Sequence, residues 1–173
     1  MISNIVVAGI NRVFSRQVSE ILAEQLGMHF LDTIELFEFD HIPRNLAMVL
    51  DELGEGYFRK KEKSLSGYVG EFENSVLHVE SGCVLESGNI DALKQNAIVI
   101  YLHMAPTKIK KELSSAKYKT ENLRKFFNIS LVKIKNRDML WMAGANITID
   151  VKASSPLKCA ADTIRAIEKY YLK

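Results

Sequence analysis

The sequence predicts an α/β protein, a three-layer α/β/α sandwich built on a five-stranded parallel sheet. Three observations predict it. Short apolar runs recur at residues 4–8, 28–31, 76–79, 97–102 and 146–151, separated by helical or mixed polar sequence. Strands that alternate with helices build a parallel sheet covered on both faces. One run, AIVIYL from Ala97 to Leu102, has no polar alternation, as expected of a central strand buried on both sides. Finally, the chain opens as strand, glycine turn, helix and strand, an arrangement that turns a helix N-terminus toward an anion.

The elements follow in order. Ile5-Val6-Val7-Ala8 is the first strand, broken by Gly9. Val18, Ile21, Leu22 and Leu26 then fall at intervals of three and four, which puts one apolar stripe on a helix. Gly27 suits the left-handed residue that ends such a helix, and Met28 to Leu31 leads into Asp32. The third, fourth and fifth runs supply the remaining strands. A closing helix runs from about Pro156 to Tyr171, with proline acceptable in its first turn and Ile164, Ile167 and Tyr171 as its inner stripe.

The 173 residues read as one domain, with no repeat, low-complexity tract or dividing linker. A hydrophobic share of 47% and a charged share of 25% are ordinary for a soluble globular chain. The net charge of +2 does not argue for nucleic acid or a membrane surface. No apolar run approaches the roughly 18 residues of a membrane span, and the start lacks a basic signal-peptide region. Cys83 and Cys159 have neither redox nor zinc spacing, so a cytoplasmic location with reduced thiols is expected. The four histidines, at 29, 41, 78 and 103, read as packing or surface residues.

The glycine turn lacks the usual phosphate chemistry. A P-loop reads Gly-x-x-x-x-Gly-Lys-Ser/Thr; from Gly9, its last three places hold Phe14, Ser15 and Arg16. A phenyl ring replaces the glycine that lets backbone N–H groups close on phosphate. Serine replaces the lysine, and arginine replaces the hydroxyl that holds magnesium. Farther on, residues 107–127 form a basic segment, a mobile lid or a solvated helix face. Lys108, Lys110, Lys111, Lys117, Lys119, Arg124 and Lys125 outnumber Glu112 and Glu121 there. From Thr107 to Lys125 a single aromatic, Tyr118, stands among the basic residues, too little interleaving for base stacking, which argues against nucleic acid.

The stretch GEGYFRKKE, residues 54–62, carries a more specific signal. It resembles the Gly-Glu-x-x-Phe-Arg-x-x-Glu stretch of shikimate kinases, and the resemblance extends from the first strand to the last helix. It implies a P-loop kinase architecture in which Arg59 and Arg137 bind a substrate carboxylate and Gly82 belongs to the substrate-binding loop after the third strand. Asp32, in LAEQLGMHFLDT, falls on the metal-site aspartate. Arg124, in NLRKFF, falls on a lid arginine, and Pro156 falls where family members line the adenine pocket. The family's acid facing the ring hydroxyls is Ile34 here, and two glycines of its substrate loop are Glu80 and Ser81. Arg59 has a second reading, a salt bridge to Glu55 or Glu62, and Asp32 has one as a helix cap. Gly9, Arg12 and Arg16 are nucleotide candidates, the arginines as stand-ins for the missing lysine.

Phosphoryl transfer depends on positioning and charge neutralisation, and one lost electrostatic group costs on the order of 10²–10³ in rate. The leading expectation is therefore a shikimate-kinase-like pseudokinase: a binding or regulatory module that takes a small carboxylate and no cofactor. The alternative is a divergent kinase that uses Mg and ATP on shikimate or a related hydroxy acid. A third reading is a structural subunit, paired with another protein or with its own copy.

Overall fold

A computed structural model describes residues 4–152 and 155–172. Five strands, β1 (Asn4–Ala8), β2 (His29–Asp32), β3 (Ser75–Val79), β4 (Ala97–His103) and β5 (Ile147–Asp150), form one sheet in the order β2-β3-β1-β4-β5. Every pairing is parallel. The expected α/β class and five-stranded parallel sheet are what the chain adopts, and strand limits shift by only a residue.

The apolar runs explain the layering. Every residue of β1 and β3 is buried, as are six of the seven in β4, so both faces of the central strands are covered. Neighbouring side chains on a strand point to opposite faces, so such runs require helices on each side. The helix α1 (Arg12–Leu26) packs against β2 and β3 and along the closing helix α9 (Pro156–Tyr171). Gly27 ends α1 with a φ of 64°, as its position predicts. In α9 the inward residues are Cys159, Ala160 and Thr163, flanked by Ile164 and Ile167. Tyr171 is 54% exposed, so the expected inner stripe stops one turn short of it.

The connections carry short helices: α2 (Thr33–Asp40), α3 (Leu46–Glu52) and α4 (Gly54–Gly67) between β2 and β3, and α5 (Asn89–Asn96) before β4. Between β4 and β5 come α6 (Pro106–Ser115), α7 (Glu121–Phe127) and α8 (Leu131–Gly144). Ile34, Phe37, Leu46, Val49, Leu50, Phe58 and Phe126 form a second apolar cluster joining α2, α3 and α4 to α7. The 107–127 segment is thus tied down at Phe126, and only the link between α6 and α7 is largely exposed. Among the described residues, no helix is long and apolar enough to cross a membrane.

Candidate functional site

A cavity of about 430 Å³ opens where the start of α1, the turn after β3, the 107–127 segment and α8 meet. Arg12, Glu80, Ser81, Glu112, Lys117 and Arg137 are its polar lining, and Phe126, Phe127 and Ile129 contribute apolar wall.

The α1 end of this cavity is closed from within. Asn11 caps the helix, its side-chain oxygen accepting from the Phe14 N–H at 3.2 Å. The Ser15 N–H goes to the Asn11 carbonyl. Asn11 in turn donates through Nδ2 to the carboxylate of Glu112, which reaches over from α6. A carboxylate therefore sits beside the helix N-terminus, the position that favours an anion. The phenyl ring of Phe14 packs on the core and is not part of the cavity lining.

Below the turn lies a buried polar network. The Asp32–His78 register pairs β2 with β3 and brings both side chains under α1. Arg12 donates to both carboxylate oxygens of Asp32, at 3.1 and 3.0 Å, and His78 Nδ1 lies 2.8 Å from Asp32 Oδ2. Asp32 Oδ1 also accepts from the Ile34 and Glu35 N–H groups, capping α2. Burial alone would raise the Asp32 carboxyl, but hydrogen bonds from His78 and Arg12 outweigh it and hold it well below the usual carboxylate range. Ser15 Oγ meets His78 Nε2 at 2.8 Å. Ser15, His78 and Asp32 are all essentially inaccessible, so this Ser-His-Asp row is structural.

These and neighbouring contacts engage several of the candidate residues. Asp32 has no free oxygen for a metal, and among the described residues no group of three His, Cys, Asp or Glu is placed to hold one. Arg16 reaches Glu20, Glu35 and Asp32, and Arg12 is committed to Asp32, so neither arginine is poised to replace a P-loop lysine. Gly9 is needed for close approach, since a Cβ there would lie 2.8 Å from that of Ser15. Arg124 points outward, 54% exposed, and pairs with Glu121. Pro156 occupies the first turn of α9 and does not line the cavity. Ile34 lines an adjoining cavity that shares Arg12, Lys117, Tyr118 and Phe127 with the first.

The acceptor-side residues do converge. Arg59 lies on Gly82, where an added Cβ would meet its guanidinium and oblige it to shift. Yet each guanidinium nitrogen of Arg59 is already bonded, Nε and Nη2 to Glu55 and Nη1 to the buried Glu62 at 2.7 Å. The ring of Phe126 stacks beneath it. The salt-bridge reading of Arg59 is the one observed. Burial pushes the Glu62 carboxyl up to about 7 despite Arg59. Arg137 is buried on α8 and donates from Nη1 to Ser81 Oγ at 2.9 Å, while its Nε has no partner. Burial lowers the Arg137 pKa from the usual arginine value. Its helix is pinned on both sides, by Trp141 donating to the Ser81 carbonyl and by Asp138 accepting from Tyr101 and facing His103.

The shikimate kinase family profile matches residues 16–168. The chain belongs to the shikimate kinase family. Curated relatives include the shikimate kinase of Caldanaerobacter subterraneus subsp. tengcongensis, 29% identical over 96% of each chain. That of Alkaliphilus oremlandii is 34% identical over 62% of this chain and 63% of its own. The shikimate kinase of Acinetobacter baumannii, solved in complex with shikimate, shares the fold with a TM-score of 0.80 at 24% identity, covering 100% of this chain and 97% of its own. Aquifex aeolicus shikimate kinase superposes with a TM-score of 0.76 at 20% identity, covering 98% of each.

Sequence reasoning missed two members of the site. His78 sits within the apolar run Val76 to Val79, and a lone polar residue inside a buried strand was the available signal. Glu112 was counted as one acid in a basic lid; no spacing rule joins it to Asn11, 101 residues away.

Proposed function

We propose that this member of the shikimate kinase family binds a small organic carboxylate in the cleft between α1, the Glu80–Ser81 turn and α8, without turning over Mg·ATP. The contact of Glu112 with Asn11 carries the reading, because it puts a negative charge where nucleotide phosphate would lie. Mg and ATP do not fit the residues present. Ser15 is buried against Gly9 and supplies no cation, and both oxygens of Asp32 are spent on Arg12, His78 and the α2 cap. On the acceptor side, Arg137 has a buried donor to spare for a carboxylate.

A second reading is ATP-dependent phosphorylation of shikimate or a related hydroxy acid. The family match and the end-to-end alignment with curated shikimate kinases support this reading more directly than a non-catalytic role. It requires Glu112 to leave Asn11 and Arg12 to release Asp32. ADP release measured with shikimate, beside calorimetric titrations of shikimate and of Mg·ATP, separates the two. Carboxylate binding with no Mg-dependent ATP binding and no ADP release is expected. Steady shikimate-dependent ADP release would establish the second reading, and binding of neither ligand would favour a structural subunit.

A further inference from the structure

The binding reading names a carboxylate, and the cleft carries a second, opposite requirement. Glu80 is 3% exposed; its Oε1 accepts from the Ser81 N–H at 2.8 Å and from the Ser81 hydroxyl at 3.3 Å, and its Oε2 has no partner. Arg137, 5% exposed, reaches the same hydroxyl from the other side and leaves Nε unpaired. Ser81 is thereby saturated, and no ion pair joins Glu80 to Arg137. Both residues line the 430 Å³ cavity, whose remaining wall is dominated by Leu113, Tyr118, Phe126, Phe127 and Ile129. An unpaired buried acceptor and an unpaired buried donor each carry a desolvation cost that a ligand of matching polarity removes. A simple carboxylic acid answers Arg137 and leaves Glu80 with only the longer-range charges of Arg59 and Arg137, and brings a like charge near it.

Resting on the carboxylate-binding reading, we infer that the cleft takes a free α-amino acid with an apolar side chain. Its ammonium pairs with Glu80, its carboxylate with Arg137, and its side chain lies against the rings of Phe126 and Phe127. The cavity falls within the range of small-ligand sites. Glu112, on the same wall, adds to the preference for a positive group, and Lys117 stands at the exposed end of the lining.

Calorimetric titration of the whole protein with L-leucine and L-phenylalanine, with their N-acetyl derivatives, and with 2-phenylethylamine tests this. Binding by at least one free amino acid is expected. Loss of either charged group should weaken it by about tenfold or more, the scale of one charge-assisted hydrogen bond. Glu80→Gln keeps an acceptor for Ser81 and should weaken the free amino acid by a similar factor without weakening the N-acetyl acid, from which it removes a like charge. Circular dichroism and thermal unfolding serve as controls that the variant is folded. Equal binding of N-acetyl and free amino acids, or of shikimate with no amino acid binding, overturns the ammonium inference but keeps the carboxylate-binding reading. Failure of all these carboxylates to bind overturns both.

Discussion

Asp32 and Glu62 are two buried carboxyls with opposite balances. For Asp32, partners outweigh burial and the folded pKa lies far below the ordinary value near 4. Such a group contributes stability above its unfolded pKa and loses it as pH falls toward the folded value. Asp32→Asn should therefore cost about 3–5 kcal/mol at pH 7, because Arg12 loses its charge partner. Denaturant unfolding should show this deficit shrinking below about pH 4, where the wild-type carboxylate begins to lose the same contribution. For Glu62, burial outweighs Arg59, and Oε1 has no partner. The folded pKa of about 7 exceeds the unfolded one, so its contribution is complete below about pH 4.5 and disappears as pH rises through about 7. Wild-type stability should fall between pH 5 and pH 8 by up to roughly 3 kcal/mol relative to Glu62→Gln, which lacks the titration. A variant that follows the same pH slope as wild type would contradict this assignment.

At the scale of the element, the start of α1 is where the chain departs from the phosphate sites its strand-turn-helix opening predicts. The residues from Gly9 to Arg16 made the departure from a P-loop sequence legible, but not the contacts around it. What fills the site comes from α6 and β3, elements distant in sequence. Gly9→Ala would drive Cβ into Ser15 and should destabilise by about 1–3 kcal/mol, measurable by thermal unfolding. Restoring the loop residues is expected to be insufficient alone. The triple variant Phe14→Gly, Ser15→Lys, Arg16→Thr still faces the Glu112 carboxylate and should bind nucleotide only weakly. Adding Glu112→Gln should tighten it by about tenfold, one charge contact's worth, without shikimate phosphorylation, since Glu80 and Ser81 remain on the acceptor side. Equal affinity with and without Glu112→Gln would show that this carboxylate does not guard the helix end.

Across the whole molecule, the sheet and its helices were legible because apolar periodicity is local and each strand declares its own burial. The site was legible only where one residue type has one use. Gly82 lies beneath Arg59, and Arg137 reaches the Glu80–Ser81 turn, so the residues that the family resemblance singled out lie near one another. Arg59 and Arg16 show the limit: an arginine's reach lets nearby acids claim it, and sequence spacing alone cannot say whether ligand or glutamate wins. The same competition decides whether the chain's own charges occupy both the start of α1 and Asp32, the residue that matches the family's metal-site aspartate. Calorimetric titration of wild-type protein with ATP, with and without magnesium, tests it most directly. No magnesium-dependent affinity tighter than ~1 mM, about 4 kcal/mol of binding, is expected. A magnesium-dependent titration in the micromolar range would contradict it.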